Sequence, residues 1–396
     1  MVKNIVLVTN EINPYRKSFY DRLYTYCKSL NIRFTVLLMT KVEHGYNWNY
    51  EKVKSEYAIL MKGIHFSFPI NNYLNSSVVK ILRELNPDIV IMAGSYFYYT
   101  NWLVIANKKR YHYPIYFWSE THFQEKRTYG SLKLKIREKI RHILYQKFDG
   151  FWYSGKLSKE FIEYYASKGA KYHFVPNLID YQNYYTTTQR LRQDLVPLRR
   201  KWEIPENNKV VITPARLSWV KGIHTFIDLL EQILQSQHIT MLIPGTGTYK
   251  HEIEKKIEES KLDIRLLGYQ EQDTMMELYA IADYFVLPSL SDPNPLTCIE
   301  ALWCGLPLLV STHVGNYPEV IQNGKNGYVF DYANRQEAIH IIAQFLSSSE
   351  EWRQNASQYS LEIANKYYNP ETVVRRLIND LIKENNRQGS NDTVFK

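Results

Sequence analysis

The stretch Y-F-V-L-P-S-L-S-D-P-N-P-L-T-C-I-E-A-L-W-C-G-L-P-L-L-V-S, residues 284–311, decides the fold of this chain. Its first apolar run, Tyr284 to Pro288, is short and closed by proline, which reads as a buried strand. Leu296 to Cys304 carries helical apolar spacing, and Leu308 to Ser311 is again a short apolar run. Strand, loop, helix and strand in that order form a βαβ unit, the building block of a parallel sheet. The unit also holds two acids. Asp292 lies on the loop and Glu300 on the helix, with Pro293, Asn294, Pro295 and Thr297 between them.

The same alternation extends in both directions. Toward the start, strand-like runs at Ile5–Val8, Phe34–Leu38, Ile89–Met92, Ile115–Trp118 and Gly150–Tyr153 alternate with helical patterns at Phe19–Ser29, Val78–Leu85, Leu103–Lys109 and Leu132–Phe148. Phe174–Asp180 closes this half. From Tyr181 to Pro205 the chain is polar and basic, which reads as a linker with a short helix. The alternation then restarts: strands at Val210–Thr213, Thr240–Pro244, Ile264–Gly268 and Tyr328–Phe330 join those already quoted. The expected fold class is therefore α/β, with two doubly wound, Rossmann-like domains facing a cleft. The expected boundaries are 1–180 for the first domain, 181–204 for the linker and 205–365 for the second domain. A helix over 366–386 is expected to pack back on the first domain, followed by a disordered tail over 387–396.

A second motif stands just after the strand at 210–213. In A-R-L-S-W-V-K-G (215–222), Arg216 offers a planar fork for phosphate oxygens and Lys221 a point charge before a helix start. Cations on one strand-to-helix segment and acids on another suit a sugar–diphosphate, with phosphates held by the cations and hydroxyls by the acids. Asp292 and Glu300 also fit a general acid and base pair, as in a hydrolase. Glu300 lies in an otherwise apolar helix, where a buried carboxylate needs partners. Gly245-Thr246-Gly247 after a strand fits a tight turn or close approach to a ligand, and Gly268 ends the next strand.

Composition bounds the rest. With 396 residues, two or three domains are expected. The net charge, 49 − 40 = +9, suits anionic membranes, nucleic acid or phosphorylated ligands, and equally a solvated surface. Three cysteines, Cys27, Cys298 and Cys304, form no disulfide framework and imply a reducing cytoplasm. No apolar run reaches the roughly 18–20 residues needed to span a bilayer. Met1–Thr9 reads as an opening strand and not as a signal peptide. The segment Leu132–Phe148 carries six Lys/Arg against one Glu, with Leu132, Ile136, Ile140, Ile143 and Leu144 at helical spacing. Such a helix either lies on anionic lipid at the inner face of the membrane or packs on the sheet with its charges in water. The 33 tyrosines suit sugar stacking or a lipid interface, and equally a compositional bias.

The chain resembles the retaining glycosyltransferases of family 4, which have the GT-B fold. The residues that carry the resemblance are A-R-L-S-W-V-K-G (215–222), P-G-T-G (244–247), the run from Leu287 to Pro307, V-G-N-Y-P-E-V-I-Q-N-G-K-N-G-Y-V-F (314–330) and V-P-N-L-I-D (175–180). The resemblance implies that Arg216 and Lys221 hold the donor diphosphate and that Glu300 takes the ribose hydroxyls. Asp292 stands at the first acid of the family's E-x7-E pattern and would face the donor sugar. The N–H groups of Leu296 and Thr297 would touch the phosphates. Gly245, Gly247 and Gly268 would line the nucleotide. The first domain would bind the acceptor, a saccharide or a lipid-linked one, through His122 or Glu120. The donor would be a UDP- or GDP-sugar; no further cofactor and no nucleic-acid partner is implied. No Asp-x-Asp motif occurs, so no metal is implied either. Two departures stand out: Asp292 is one methylene shorter than the usual Glu, and Pro295 replaces the common Gly. A nucleotide-sugar epimerase and a non-catalytic partner subunit of the same fold are the alternatives.

Overall fold

In a computed structural model that describes residues 2–42, 50–66, 72–123, 131–233 and 238–392, two units separate. The first gathers the chain up to Thr121, the stretch ending at Leu178 and the helix from Pro370. The second is Ile179–Asn369, which His122 joins.

The first unit contains β1 (Asn4–Thr9), β2 (Arg33–Leu38), β3 (Ala58–Leu60), β4 (Ile64–Phe66), β5 (Asn72–Leu74), β6 (Ile89–Met92), β7 (Ile115–Ser119), β8 (Gly150–Tyr153) and β9 (Lys171–Phe174). Seven of them form a parallel sheet in the order β3-β2-β1-β6-β7-β8-β9, while β4 and β5 pair as a separate antiparallel hairpin. Helices on the sheet bury the strands on both faces, so Ile5, Val6, Leu7 and Val8 are all fully buried. The short elements β3 to β5 escape the sequence reading for a physical reason. Each has three residues, and Ile59, Leu60, Ile64 and Phe66 are exposed, so no buried run marks them. The last strand, β9, ends at Phe174, and 175–180 is loop.

The helix Pro370–Asp392 belongs to this first unit. Val373, Val374, Leu377, Ile378 and Leu381 make one buried stripe along it, which packs on the helix Pro14–Ser29. Arg22 pairs with Glu371 at 3.2 Å, and Tyr26 donates to Asn379 at 3.2 Å. Glu384 accepts from Tyr116 at 3.0 Å and lies 3.2 Å from His173 and 3.8 Å from Lys171. Burial opposes the charge of Glu384, but these partners outweigh it and hold the carboxyl below its ordinary value. The helix starts at Pro370 because Asn369-Pro370 ends a separate helix, Glu350–Tyr368. It runs to Asp392, so helix replaces the disorder expected over 387–392; residues 393–396 lie outside the described residues.

The second unit holds β10 (Lys209–Ile212), β11 (Ile239–Pro244), β12 (Ile264–Gly268), β13 (Tyr284–Leu287), β14 (Leu308–Ser311) and β15 (Gly327–Phe330). Their parallel order, β12-β11-β10-β13-β14-β15, is the doubly wound one, with the strand order reversing between β10 and β13. The polar connector folds as two helices, Tyr181–Leu191 and Val196–Lys201, where one short helix was expected. Arg192 fixes them to this unit: its guanidinium donates to the carbonyls of Cys304 at 2.6 Å, Tyr279 at 3.2 Å and Ala280 at 3.3 Å. A half-buried charge satisfied by main chain is invisible to a hydrophobic pattern, which explains the difference.

Candidate functional site

The switch point between β10 and β13 brings the two motifs together, as open parallel sheets do at the carboxyl ends of their strands. The loop after β10 tightens into a single turn, Trp219–Lys221, and ends at Gly222 with φ 65°. The loop after β13 lies along it, with the N–H of Leu290 donating to the carbonyl of Val220 at 2.7 Å. A Cβ on Gly222 would stand 2.1 Å from the carbonyl oxygen of Pro288, so glycine is required by both conformation and space. On the other side, Asp292 is bracketed by the loop after β14: its N–H donates to His313 at 3.1 Å and its carbonyl accepts from Gly315 at 2.7 Å.

Within this frame Lys221 and Asp292 form an ion pair, with both side chains mostly buried. Arg216 is exposed and makes no ion pair or hydrogen bond among the described residues. The helix Leu296–Trp303 begins right after Pro295, so its first N–H groups, those of Leu296 and Thr297, open toward the same loop end. Pro295 occupies the cap position with an extended backbone, and its carbonyl accepts from Asn316 at 3.1 Å. The cap position contributes no N–H, and the first-turn donors remain those of Leu296 and Thr297.

Glu300 sits one turn further along that helix. Its two carboxylate oxygens are held separately: Tyr184 donates to one at 3.2 Å and Tyr279 to the other at 2.7 Å. Burial raises the Glu300 carboxyl above its ordinary value, and the two phenol donors, Tyr279 before Tyr184, pull against that rise. The partners that a carboxylate in an apolar helix demands are thus two tyrosines. Neither was picked out from sequence. Tyr184 lies in the segment read as linker, and a tyrosine in a helical pattern looks like any other apolar position.

The glycines after β11 have a packing reason of their own. A Cβ on Gly245 would stand 1.9 Å from the carbonyl oxygen of Ala215, and one on Gly247 would stand 2.1 Å from that of Leu217. They let the loop after β11 lie against the 215–217 segment that presents Arg216. Gly268 differs: it has φ 71° and open space around it, so its backbone conformation alone calls for glycine.

The two alternatives for the first domain separate. Glu120, right after β7, pairs with Arg16 at 3.2 Å, and Arg16 stacks over Trp118 at 4.5 Å; all three belong to the first unit. His122 is buried in the second unit, where its Nε2 would lie 2.8 Å from a Cβ on Gly315. It therefore packs on the same 313–315 loop that brackets Asp292, and the sequence places these two residues far apart.

This is an α/β chain of the GT-B class, with parallel sheets in two Rossmann-like domains. In fold it is similar to an Anabaena protein, HepE, crystallised with UDP (TM-score 0.72, 16% identity, covering 96% of this chain and 100% of that one). It is also similar to a sucrose-phosphate synthase from Thermosynechococcus elongatus (TM-score 0.70, 13% identity, 96% and 98%). Residues 197–362, all within the second unit, match the family described as Glycosyl transferases group 1. In sequence the chain is similar to spore coat protein SA of Bacillus subtilis, 30% identical over 45% of this chain and 49% of the relative. It is also similar to the N-acetyl-alpha-D-glucosaminyl L-malate synthase of Bacillus anthracis, 26% identical over 50% of each. The chain spans about half the length of these curated relatives.

Proposed function

We propose that this chain is a retaining glycosyltransferase that moves a sugar from a nucleoside diphosphate to a hydroxyl acceptor in cell-surface polysaccharide or glycolipid synthesis. The observation that carries this reading is the convergence at one switch point of Arg216, the Lys221–Asp292 pair and the start of the helix that bears Glu300. The match of residues 197–362 and the fold likeness to a protein crystallised with UDP support it, and favour UDP as the nucleotide.

In this reading the diphosphate lies between Arg216, Lys221 and the N–H groups of Leu296 and Thr297, and Glu300 accepts from the ribose hydroxyls. Lys221 is shared between Asp292 and a phosphate oxygen. Asp292 faces the donor sugar, its shorter reach offset by the backbone bridge that fixes it to the 313–315 loop. His122, packed on that loop, faces the sugar as well, and Glu120 with Arg16 serves the acceptor end. The bond from the anomeric carbon to the phosphate oxygen breaks, and its electron pair leaves on the diphosphate. The acceptor oxygen bonds to the same face of that carbon and gives its proton to the departing phosphate. Fixed cations and helix N–H groups stabilise the charge that grows on the leaving group.

The acceptor end is proposed to work at an anionic membrane surface on the cytoplasmic side. The helix Ser131–Tyr145 exposes Ile136 and Ile143 beside Lys135 and Lys139. Among the described residues no helix is long and apolar enough to cross a membrane. Incubation with UDP- and GDP-sugars and a panel of saccharide and lipid-linked acceptors tests the function. Acceptor-dependent release of nucleoside diphosphate with an α-configured product from an α-configured donor is expected. Release of free sugar without an acceptor, or no turnover with any pair, would overturn it. Sedimentation with vesicles containing anionic lipid tests the surface. Ile136→Asp with Ile143→Asp is expected to abolish binding, and equal binding by both proteins would refute the membrane reading.

A further inference from the structure

The carboxylate of Glu300 is held by more than burial. Each of its oxygens can accept about two hydrogen bonds. Tyr184 occupies one acceptor position on one oxygen and Tyr279 one on the other, which leaves a free position on each. A carboxylate fixed in this way presents two parallel acceptors, the geometry that two neighbouring hydroxyls require. We propose that Tyr184 and Tyr279 are positioning residues that hold Glu300 for the vicinal ribose hydroxyls of a nucleoside diphosphate, an inference that rests on the donor site proposed above.

The two tyrosines come from different parts of the second unit. Tyr279 is fully buried on the helix Gln272–Ile281. Tyr184 is on the connector helix Tyr181–Leu191, ahead of the matched residues 197–362. One turn earlier on the same helix, Tyr181 stacks on Trp303, with ring centroids 4.0 Å apart and planes 27° apart. Trp303 is on the Glu300 helix, one turn beyond Glu300, so the connector is clamped beside the carboxylate at two points. Arg192 then ties the end of the connector to the carbonyls of Tyr279 and Cys304. The first turns of the connector are therefore part of the wall of the site. Burial, and after it the charge of Glu300, raises both phenols, so each stays an O–H donor across the physiological range.

The test compares ribose with its dideoxy counterpart. Binding of UDP, GDP and ADP, and of their 2′,3′-dideoxy forms, is measured by calorimetry for the wild-type protein, Tyr184→Phe, Tyr279→Phe and Glu300→Gln. Loss of a hydrogen bond that orients a charged acceptor is expected to weaken binding of the ribonucleotide about tenfold in Tyr184→Phe. Affinity for the dideoxy form is expected to stay within twofold, because it has no hydroxyls for Glu300 to receive. In turnover with the matching nucleotide sugar, KM rises and kcat changes little. Equal weakening of both nucleotides would mark Tyr184 as a structural residue, and unchanged affinity for the ribonucleotide would also overturn the proposal. Tyr279 is fully buried, so if Tyr279→Phe fails to fold, Tyr184→Phe decides alone. Wild-type protein that binds none of the three diphosphates would instead overturn the donor site itself, a result distinct from either failure of the tyrosines.

Discussion

The two units share one plan and use it differently. In both, a parallel sheet reverses its strand order beside the first strand, at β1/β6 in one unit and β10/β13 in the other. In the second unit the loops at that point are fastened together. Backbone bonds join 220 to 290 and 292 to 313 and 315, and three glycines, Gly222, Gly245 and Gly247, let main chain meet main chain. In the first unit the equivalent end holds a side-chain pair, Arg16 with Glu120, stacked on Trp118. A loop fastened by its backbone needs particular residues at particular places. A loop held by side chains leaves wide freedom in sequence. One end of the proposed reaction is thus written in motifs, and the other is not.

The comparison can be broken first at the cations. Arg216→Ala and Lys221→Ala are each expected to lower kcat by about 10²–10³, the range for loss of one electrostatic contact to a transition state. Near-normal turnover in both would remove the proposed donor site. Gly222→Ala comes next. The added methyl meets the Pro288 carbonyl at an unfavourable φ, so denaturant titration is expected to show a loss of about 1–3 kcal/mol. The same change at Gly268, where nothing lies within 4 Å of the new atom, is expected to cost less.

Glu300→Gln sharpens the contrast between binding and stability. Nucleoside diphosphate affinity is expected to fall about tenfold. The folded-state carboxyl of Glu300 is raised above its unfolded value, so between those two values stability falls as pH rises, and at neutral pH the buried charge costs stability. The variant is therefore expected to melt no lower than the wild type at neutral pH. The same sign predicts that donor affinity in the wild type declines on acidification at a pH above the range of an ordinary glutamate, which calorimetry across pH will check. The smallest effect belongs to the first unit. Glu384 is held below its ordinary value, so its contribution is present at neutral pH and fades as pH falls through the depressed value. Because the group is only partly buried and solvent still screens its partners, Glu384→Gln is expected to cost no more than about 1 kcal/mol in urea titration.

How far these features could be read beforehand follows the same divide. Strands of four or more buried apolar residues, such as Ile89–Met92 and Tyr284–Leu287, declare themselves. The three-residue strands β3, β4 and β5 do not: β3 and β4 are largely exposed, and β5, though mostly buried, is too short to show a period. Glu300 was legible as a charge in an apolar helix, and Asp292 from its place on the loop eight residues before it. The tyrosines that serve Glu300 were not, since only the fold brings residues 184, 279 and 300 together. His122 and Glu120 looked equivalent in sequence, two residues apart on one loop. The structure sends one to an ion pair with Arg16 and the other against Gly315, a choice that only the fold makes.

The placement of the helix Pro370–Asp392 has a consequence for synthesis of the chain. Apart from the short stretch at His122, the second unit is the unbroken run Ile179–Asn369, whereas the first needs a piece translated after it. At about 5–20 residues per second, roughly 10–40 s separate the emergence of Leu178 from that of the returning helix. During that interval the nascent first unit displays the apolar flank of Pro14–Ser29 that Val373, Leu377 and Leu381 will cover. The later-made unit can therefore mature ahead of the earlier-made one, and ribosome-associated chaperones have a defined surface to shield until translation closes it.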